Sequence, residues 1–447
     1  MKKTGFLILF TALCLVFSAC SLPGVGVTDS LSPPKPSGEL YAIQQALETS
    51  VGHDVDLVYP SAGKYRSAII TNDINSDGKF EVFSFYSTET DDKTTVMHIN
   101  YIRWINEKWV SVTDLQVDAS GVESVDFVRL DNETTPKILV NWERYSATNK
   151  QLSVYSITSG VLSEVTNSDY SVYSTFDFDS DGIFEIVAVY LDTENKTSTA
   201  TLLALGEKGF SEHSSCKLDP GVTSYFTPVL SKFTDGRQAL FIDAVKGTGM
   251  ITEVLSIDND GNLYSALPHT ANFENVNSLR ASTVRSADFD GDGCIDIPLA
   301  KKLPLLNTDD EAGAYMTVWN SFNGSEYTVI GRSIINYTDG YYINIPESWV
   351  DNIAVERRLD SKQRVFCRWD PLMGEAGEEI LRIMAIPLES FESNPQGYED
   401  YVEYARNSEY VFALKSGTSA LTPDANYLKD NFHLITPTGN GEANKIK

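Results

Sequence analysis

Three nine-residue stretches of this chain share one pattern, and they recur at a nearly fixed interval. They are Asp73-Ile-Asn75-Ser-Asp77-Gly78-Lys79-Phe-Glu81, Asp177-Phe-Asp179-Ser-Asp181-Gly182-Ile183-Phe-Glu185 and Asp288-Phe-Asp290-Gly-Asp292-Gly293-Cys294-Ile-Asp296. Each has oxygen-bearing side chains at positions 1, 3, 5 and 9 and glycine at position 6. Each runs straight into an apolar segment. Two degenerate copies lie between them: Leu130-Asp131-Asn132-Glu133 ahead of Ile138-Leu139-Val140, and Phe233-Thr234-Asp235-Gly236 ahead of Leu240-Phe241-Ile242. Aligned on the first apolar residue that follows, the five copies fall at Val82, Ile138, Ile186, Leu240 and Ile297, with intervals of 56, 48, 54 and 57 residues. Such regularity marks a repeat architecture in which each unit is one supersecondary element.

A second feature keeps the same register. Residues 97–109, 152–162, 199–210, 253–264 and 315–327 each alternate apolar and polar residues around a turn rich in Gly, Asn or Asp. These read as β-hairpins. A unit of about 54 residues that holds about four short strands matches a propeller blade. The expected fold is mainly β, a β-propeller of about five blades over residues 39–335. A sixth blade built from terminal strands is the alternative.

The loops have the chemistry of calcium sites. Calcium takes about six to eight oxygens at roughly 2.3–2.6 Å, and carboxylates at alternating positions of a tight loop converge on one centre. Glycine at position 6 allows the sharp turn, and position 7 (Lys79, Ile183, Cys294) offers only its backbone carbonyl. An EF-hand would need Glu at position 12 between helices; here that position is Ser84, Ala188 or Leu299, inside strand-like runs. These residues resemble the integrin-like FG-GAP/VCBS family of calcium-loop propellers over roughly residues 66–335. The resemblance implies two or three structural Ca2+ sites. The first loop, with Asn75 in place of an acid, is expected to bind most weakly. The degenerate copies are expected to bind no metal and to be held by packing alone.

The flanks differ from the repeats. Leu40, Ile43 and Leu47 fall at helical spacing, so 39–50 reads as an amphipathic helix capping the propeller. Beyond the last hairpin the acidic motif stops, and 336–436 is expected to form a small α+β domain. Its strands would include 341–346, 353–357, 365–369, 380–385 and 410–414, with helices over 398–406 and 424–432. The segment Ile345-Pro346-Glu347-Ser348-Trp349 loosely resembles the opening of PsbP-like domains. Residues 437–447 read as a disordered tail.

The N-terminus addresses the chain outward. Lys2 and Lys3 precede an apolar run over 5–17, then Phe17-Ser18-Ala19-Cys20. A basic start, a short apolar core and small residues before a cleavage point make a secretory signal over 1–19. The last four residues resemble a lipobox, with Phe17 where leucine is usual, which implies lipidation of Cys20. Residues 20–38, rich in Pro, Gly and Ser, read as a flexible linker. The expected location is the outer face of the cytoplasmic membrane or the cell surface, with the lipid as the sole membrane contact.

Net charge is −27, and the signal carries only Lys2 and Lys3. So acidic a surface argues against nucleic-acid partners and suits divalent cations. Cys216, Cys294 and Cys367 are too few and too far apart for a disulfide framework and read as small buried residues. His53, His98, His213, His269 and His433 are scattered, and no nucleotide loop or nucleophile elbow occurs. The chain is therefore read as a non-enzyme, a surface binding module for glycan or protein. A calcium-assisted polysaccharide lyase or glycosidase, and a structural envelope lipoprotein, are the alternatives.

Overall fold

The computed structural model describes residues 38–52, 55–90, 94–144, 150–178, 180–207, 209–306 and 314–435. The signal, Cys20, the linker, Asp179 and the C-terminal tail lie outside the described residues. No helix among the described residues is long and apolar enough to cross a membrane.

Six antiparallel sheets of four or five strands follow one another along the chain, built as propeller blades are. The first runs from Asp56–Leu57 to Lys108–Val117, the second from Gly121–Val128 to Val161–Tyr170, and the third from Val172–Phe176 to Gly209–Lys217. The fourth spans Val222–Tyr225 to Leu263–Ser265. The fifth contains Ile297–Lys302, Tyr315–Phe322, Tyr327–Asn336 and Tyr341–Asn344. The sixth contains Ile353–Arg358, Gln363–Asp370, Glu375–Pro387, Val402–Arg406 and Tyr410–Ser416. All five expected hairpins form. In the first two sheets the turn residues Asn106, Glu107, Ser159 and Gly160 all have positive φ, the geometry of a two-residue turn that matches strand twist.

The apolar runs after each loop are explained by how the sheets stack. Successive residues of a strand face opposite sides, and here both sides are buried. Val187 and Val189 join Leu240 and Ile242 in the core between the third and fourth sheets. Their neighbours Ile186 and Ala188 join Leu139 and Val154 between the second and third. Phe83, Phe85 and Ile99 meet Val140 and Trp142 between the first and second, and Phe241 and Val254 meet Ile297 and Phe322 between the fourth and fifth. Each of the first five blades therefore contributes to two cores. The first blade's other face is covered by helix α1 (Glu39–Val51), whose Ile43 and Leu47 pack on Val82, Tyr86, Ile102 and Trp109. Leu40, expected on that face, is exposed.

The C-terminal segment shares its core with the fifth sheet. Met316, Ile334, Tyr341 and Ile343 pack with Val355, Phe366, Ile383, Phe412 and Phe432 in one cluster. The last strand, Phe432–Leu434, returns to pair with Tyr341–Asn344 at the edge of the fifth sheet. Two short helices, α2 (Leu388–Ser393) and α3 (Ala425–Asn431), belong to this segment; Asp424 caps α3 by accepting the Tyr427 N–H. Trp349 of the Ile-Pro-Glu-Ser-Trp stretch is fully buried and donates its indole N–H to the Leu421 carbonyl at 2.9 Å. The helix expected over 398–406 does not form. Val402–Arg406 is instead a strand on Tyr410–Ser416, because Asn407 accepts the N–H groups of Glu409 and Tyr410 and closes a tight turn.

Candidate metal centre

The three acidic loops sit at equivalent places, each leading into a strand that feeds the cores between sheets. The first joins Ile69–Asn72 to Glu81–Glu89 and the second joins Val172–Phe176 to Glu185–Asp192. The third is closed at its base by the bridge between Ala287 and Asp296. Their internal wiring is the same. The position-1 carboxylate accepts the glycine N–H at position 6: Asp73 from Gly78 at 3.0 Å, Asp177 from Gly182 at 2.8 Å and Asp288 from Gly293 at 3.1 Å. The position-5 carboxylate accepts the N–H of position 7: Asp77 from Lys79, Asp181 from Ile183 and Asp292 from Cys294. The position-9 carboxylate reaches back to the N–H of position 2: Glu81 to Ile74, Glu185 to Phe178 and Asp296 to Phe289. Positions 4 and 6 are left-handed in all three, with φ of 58° and 81° at Ser76 and Gly78, 63° and 83° at Ser180 and Gly182, and 83° and 81° at Gly291 and Gly293. That backbone turns the carboxylates inward.

In the third loop oxygens of Asp288, Asp290 and Asp296 lie within 4.8 Å of one another, so this triad could hold a metal ion. Asp296 is 1% exposed, and its Oδ1 is buried with no hydrogen-bond partner. A buried carboxylate oxygen without a donor is costly, and a hard cation satisfies it. Burial pushes the Asp296 carboxyl up to about 7, against the pull of the Phe289 N–H, and the charges of Asp290, Asp292 and Asp288 push the same way. Asp292, also expected as a ligand, stands outside the triad, with one oxygen on Cys294 N–H. Cys294 is buried and free, a loop residue and not a thiol ligand.

The first loop differs at the position where an amide replaces an acid. Asn75 turns its Nδ2 onto Glu81 at 3.1 Å, a hydrogen bond that an aspartate could not make. Burial, followed by the nearby Asp77 and Asp73, raises the Glu81 carboxyl, partly offset by the Ile74 N–H and Arg103. In the second loop Asp177, Asp181 and Glu185 hold the shared wiring.

The degenerate copies are not held by packing alone. In the second sheet Lys137 occupies position 9 and places its ammonium 2.6 Å from both Asp131 and Glu133. In the fourth sheet Arg237 pairs with Asp235 at 2.8 Å. A basic side chain neutralises loop carboxylates in both.

The loops also tie adjacent blades together. Phe184 of the second loop donates to the Arg129 carbonyl in the second sheet, and Gln238 of the fourth sheet donates to the Asp177 carbonyl at 3.0 Å. Ser231 of the fourth sheet accepts the Ile295 N–H of the third loop.

Two polar clusters escape the repeat pattern. Asp243 and Glu253 of the fourth sheet, and Asp219 in the connection leading into it, are all buried. Arg280 pairs with Asp243 at 2.8 Å, and Ser286 gives Asp243 both its N–H and its hydroxyl. His269 Nε2 lies 2.8 Å from Glu253, and Lys246 pairs with Asp219 at 2.7 Å. This network seats residues 266–286 on the blade and leads into Asp288. Its trace in the sequence is an acid inside an apolar run, Asp243 within 240–245 and Glu253 within 250–255. In the first sheet His98 Nδ1 lies 3.0 Å from Asp114, and His98 Nε2 lies 3.0 Å from the Thr88 hydroxyl. Asp114 also accepts from Tyr86 and Asn100, and Ser111 continues the chain to Ser50 of α1. This chain of bonds fastens α1 to the sheet.

No family model and no curated protein sequence matches the chain. Among solved structures, the Bacillus licheniformis rhamnogalacturonan lyase PL11 is 11% identical, with 75% of this chain and 72% of that chain covered and a TM-score of 0.31. Rhamnogalacturonan lyase YesW is 10% identical over 75% of this chain and 72% of its own, also with a TM-score of 0.31. A protein from Lactobacillus plantarum is 10% identical over 71% and 84%, with a TM-score of 0.25. The fold assignment rests on the strand registers and shared cores described above.

Proposed function

We propose that this chain is an extracytoplasmic, lipid-anchored module of the FG-GAP/VCBS kind. Calcium in two or three of its acidic loops stiffens it, and it binds glycan or protein at the cell surface. The observation that carries the calcium reading is the buried, unpartnered Oδ1 of Asp296 beside Asp288 and Asp290. Asp288, Asp290 and Asp296 would hold the ion in the third loop, and Asp177, Asp181 and Glu185, with Asp179, in the second. The ion supplies charge neutralisation where strand entry is crowded with carboxylates, and it braces one blade on the next. Binding to the folded state at a hundredfold excess over Kd contributes about 2.7 kcal/mol per site.

The buried acids of the fourth sheet are taken up by Arg280, Lys246, His269 and backbone N–H groups. That arrangement serves folding and favours a binding role over acid–base catalysis. Anchoring through Cys20 places the module outside the membrane. Purified protein screened on glycan arrays and in protein capture, in calcium and in chelator, tests the binding reading; silence in every arm refutes it. Cys20→Ala is expected to release the protein from membranes, and full retention would refute the anchor.

A further inference from the structure

An aromatic row stands open at the loop end of the first blade. Glu81 pairs with Arg103, and the next step along the two strands places Phe80, position 8 of the first acidic loop, beside Trp104. Trp104 in turn pairs with Trp109 across the turn at Asn106 and Glu107. Val82, Ile102 and Trp109 pack under α1. Side chains two apart on a strand share a face, so Phe80 and Trp104 extend the face that the helix covers. Both lie beyond its cover: Phe80 is 53% exposed and Trp104 45%.

Later blades close the same row. Ile157, Ile257 and Phe322 stand at the place of Trp104 in the second, fourth and fifth sheets. Each joins the core shared with the preceding sheet. In the first blade α1 takes the place of a preceding sheet, and it stops short. Ser50, in its last turn, bonds Ser111, and Gly52 ends the helix in the left-handed conformation with φ of 85°. The open row is firmly built. Trp104 and Trp109 meet edge to face with ring centroids 5.4 Å apart, on a two-residue turn whose positive φ angles match strand twist. The indole N–H of Trp109 is buried and makes no hydrogen bond, so the row also offers one donor to an oxygen. Lys79, Glu107 and Lys108 are exposed at its rim.

Size and place select the occupant. The open halves of one Phe and one Trp amount to on the order of 200 Å², whereas a stable protein partner or second copy needs about 800 Å² on each side. A bilayer is disfavoured by the net charge of −27 and by the course of α1. The linker leads into Glu39, and the 13 residues of the helix put that end about 20 Å from the end that reaches the row. We propose that Phe80 and Trp104 form a stacking platform for one pyranose ring of a glycan. The C–H bonds on one face of a pyranose carry partial positive charge and meet the negative face of an aromatic ring. Lys79, Glu107 and Lys108 supply donors and acceptors for its hydroxyl groups. The inference rests on the reading of the chain as a surface glycan-binding module, and it names where and how that module holds its ligand.

The test measures binding of the protein, in calcium, to short β-linked oligomers of glucose, of N-acetylglucosamine and of a uronic acid. At least one should bind and shift tryptophan emission to the blue as Trp104 leaves water. Trp104→Ala should weaken that binding about tenfold or more. Trp104→Phe should lose the emission shift and keep part of the affinity, because a smaller aromatic face remains. Phe80→Ala is the independent second variant and should weaken binding in the same direction. Thermal melts establish that each variant is folded. Oligomer binding that neither alanine variant changes overturns the platform while leaving glycan binding intact. Failure of all the oligomers also overturns it, and the wider glycan and protein screen then decides the parent reading separately. If Trp104→Ala instead abolishes only binding to phosphatidylglycerol vesicles, or only self-association of the parent, the row serves a bilayer or a second copy and the sugar platform is refuted.

Discussion

Lys137 stands where the acidic loops carry a carboxylate, and its ammonium lies 2.6 Å from Asp131 and 2.6 Å from Glu133. The side chain is 4% exposed. Burial works against its charge, but the bonds to Asp131 and Glu133 outweigh that and raise it above the usual lysine range. The same strand entry is thus built in two ways. Asp296 completes an acidic triad with Asp288 and Asp290 that could hold an external cation, whereas Lys137 brings its own.

Exchanging the two designs should exchange their dependence on calcium. Lys137→Met leaves Asp131 and Glu133 facing each other and should cost about 2–4 kcal/mol, with no change in the response to calcium. Lys137→Glu restores an acid at position 9. It should melt lower than Lys137→Met in chelator and recover with added calcium, giving a larger calcium-dependent shift in Tm than the parent. Melting curves in calcium and in chelator decide this, and an unchanged shift would show that position 9 does not control occupancy.

Asp296 should behave in the opposite direction. Asp296→Asn removes a buried charge that lacks a donor on Oδ1, so in chelator the variant should be at least as stable as the parent. In calcium it should lose part of the parent's gain, on the order of 1–3 kcal/mol. Isothermal titration should find one calcium site fewer, and retention of every site would place the ion elsewhere.

Much of this was legible because the motif and the architecture share one period. Val82, Ile138, Ile186, Leu240 and Ile297 all lie within the first three residues of the strand after a loop, and their spacing revealed the order of the first five sheets; the sixth, Ile353–Arg358 to Tyr410–Ser416, lacks the acidic motif and was read as part of a separate α+β domain. Position 6 was readable from Gly78, Gly182 and Gly293, since only a left-handed residue makes that turn cheaply. The fourth-sheet network was not legible: Asp243 meets Arg280 across 37 residues and Asp219 meets Asn275 across 56, and no local pattern encodes such pairings. Val402–Arg406 was misread for a related reason. Short segments with mixed polarity take their structure from a partner strand, and that partner, Tyr410–Ser416, was visible only as an apolar run.

His269 supplies a pH dependence. Burial opposes its charge, but the hydrogen bond and charge of Glu253, aided by Asp219, raise it above the ordinary imidazole value despite Lys246. A histidine raised in the folded state adds stability that is fully present below its unfolded value, about 6.5, and is lost as pH rises through the folded value. The parent should therefore lose stability as pH climbs above about 6.5, and His269→Gln should flatten that slope. Denaturant midpoints across this range measure it, and identical slopes for parent and variant would exclude His269 as the source.

Asp243→Asn should disturb a site it does not touch. Asp243 takes the N–H and hydroxyl of Ser286 at 2.8 and 2.9 Å, two residues before Asp288, and pairs with Arg280. Breaking a buried pair from one side costs about 3–5 kcal/mol, and the freed loop should then hold calcium more weakly at the third site. Titration of Asp243→Asn in a background lacking the first-loop acids Asp73 and Asp77 and the second-loop acids Asp177 and Asp181 isolates that site. Unaltered affinity there would show that the network serves stability alone.

The fifth and sixth sheets should unfold as one unit. Phe432 stacks on Tyr341 with ring centroids 5.3 Å apart and packs on Phe412 of the sixth sheet at 6.2 Å, so one side chain links both sheets and the returning strand. Phe432→Ala should cost about 3–5 kcal/mol. Because Ile343 and Ile383 share its cluster, the loss should appear as a downward shift of a single transition that carries both sheets. Hydrogen exchange resolves the point: amides of Tyr341–Asn344 and Tyr410–Ser416 should lose protection together in the variant. If the Tyr410–Ser416 amides opened alone, the C-terminal segment would be an independent folding unit and the shared core a passive contact.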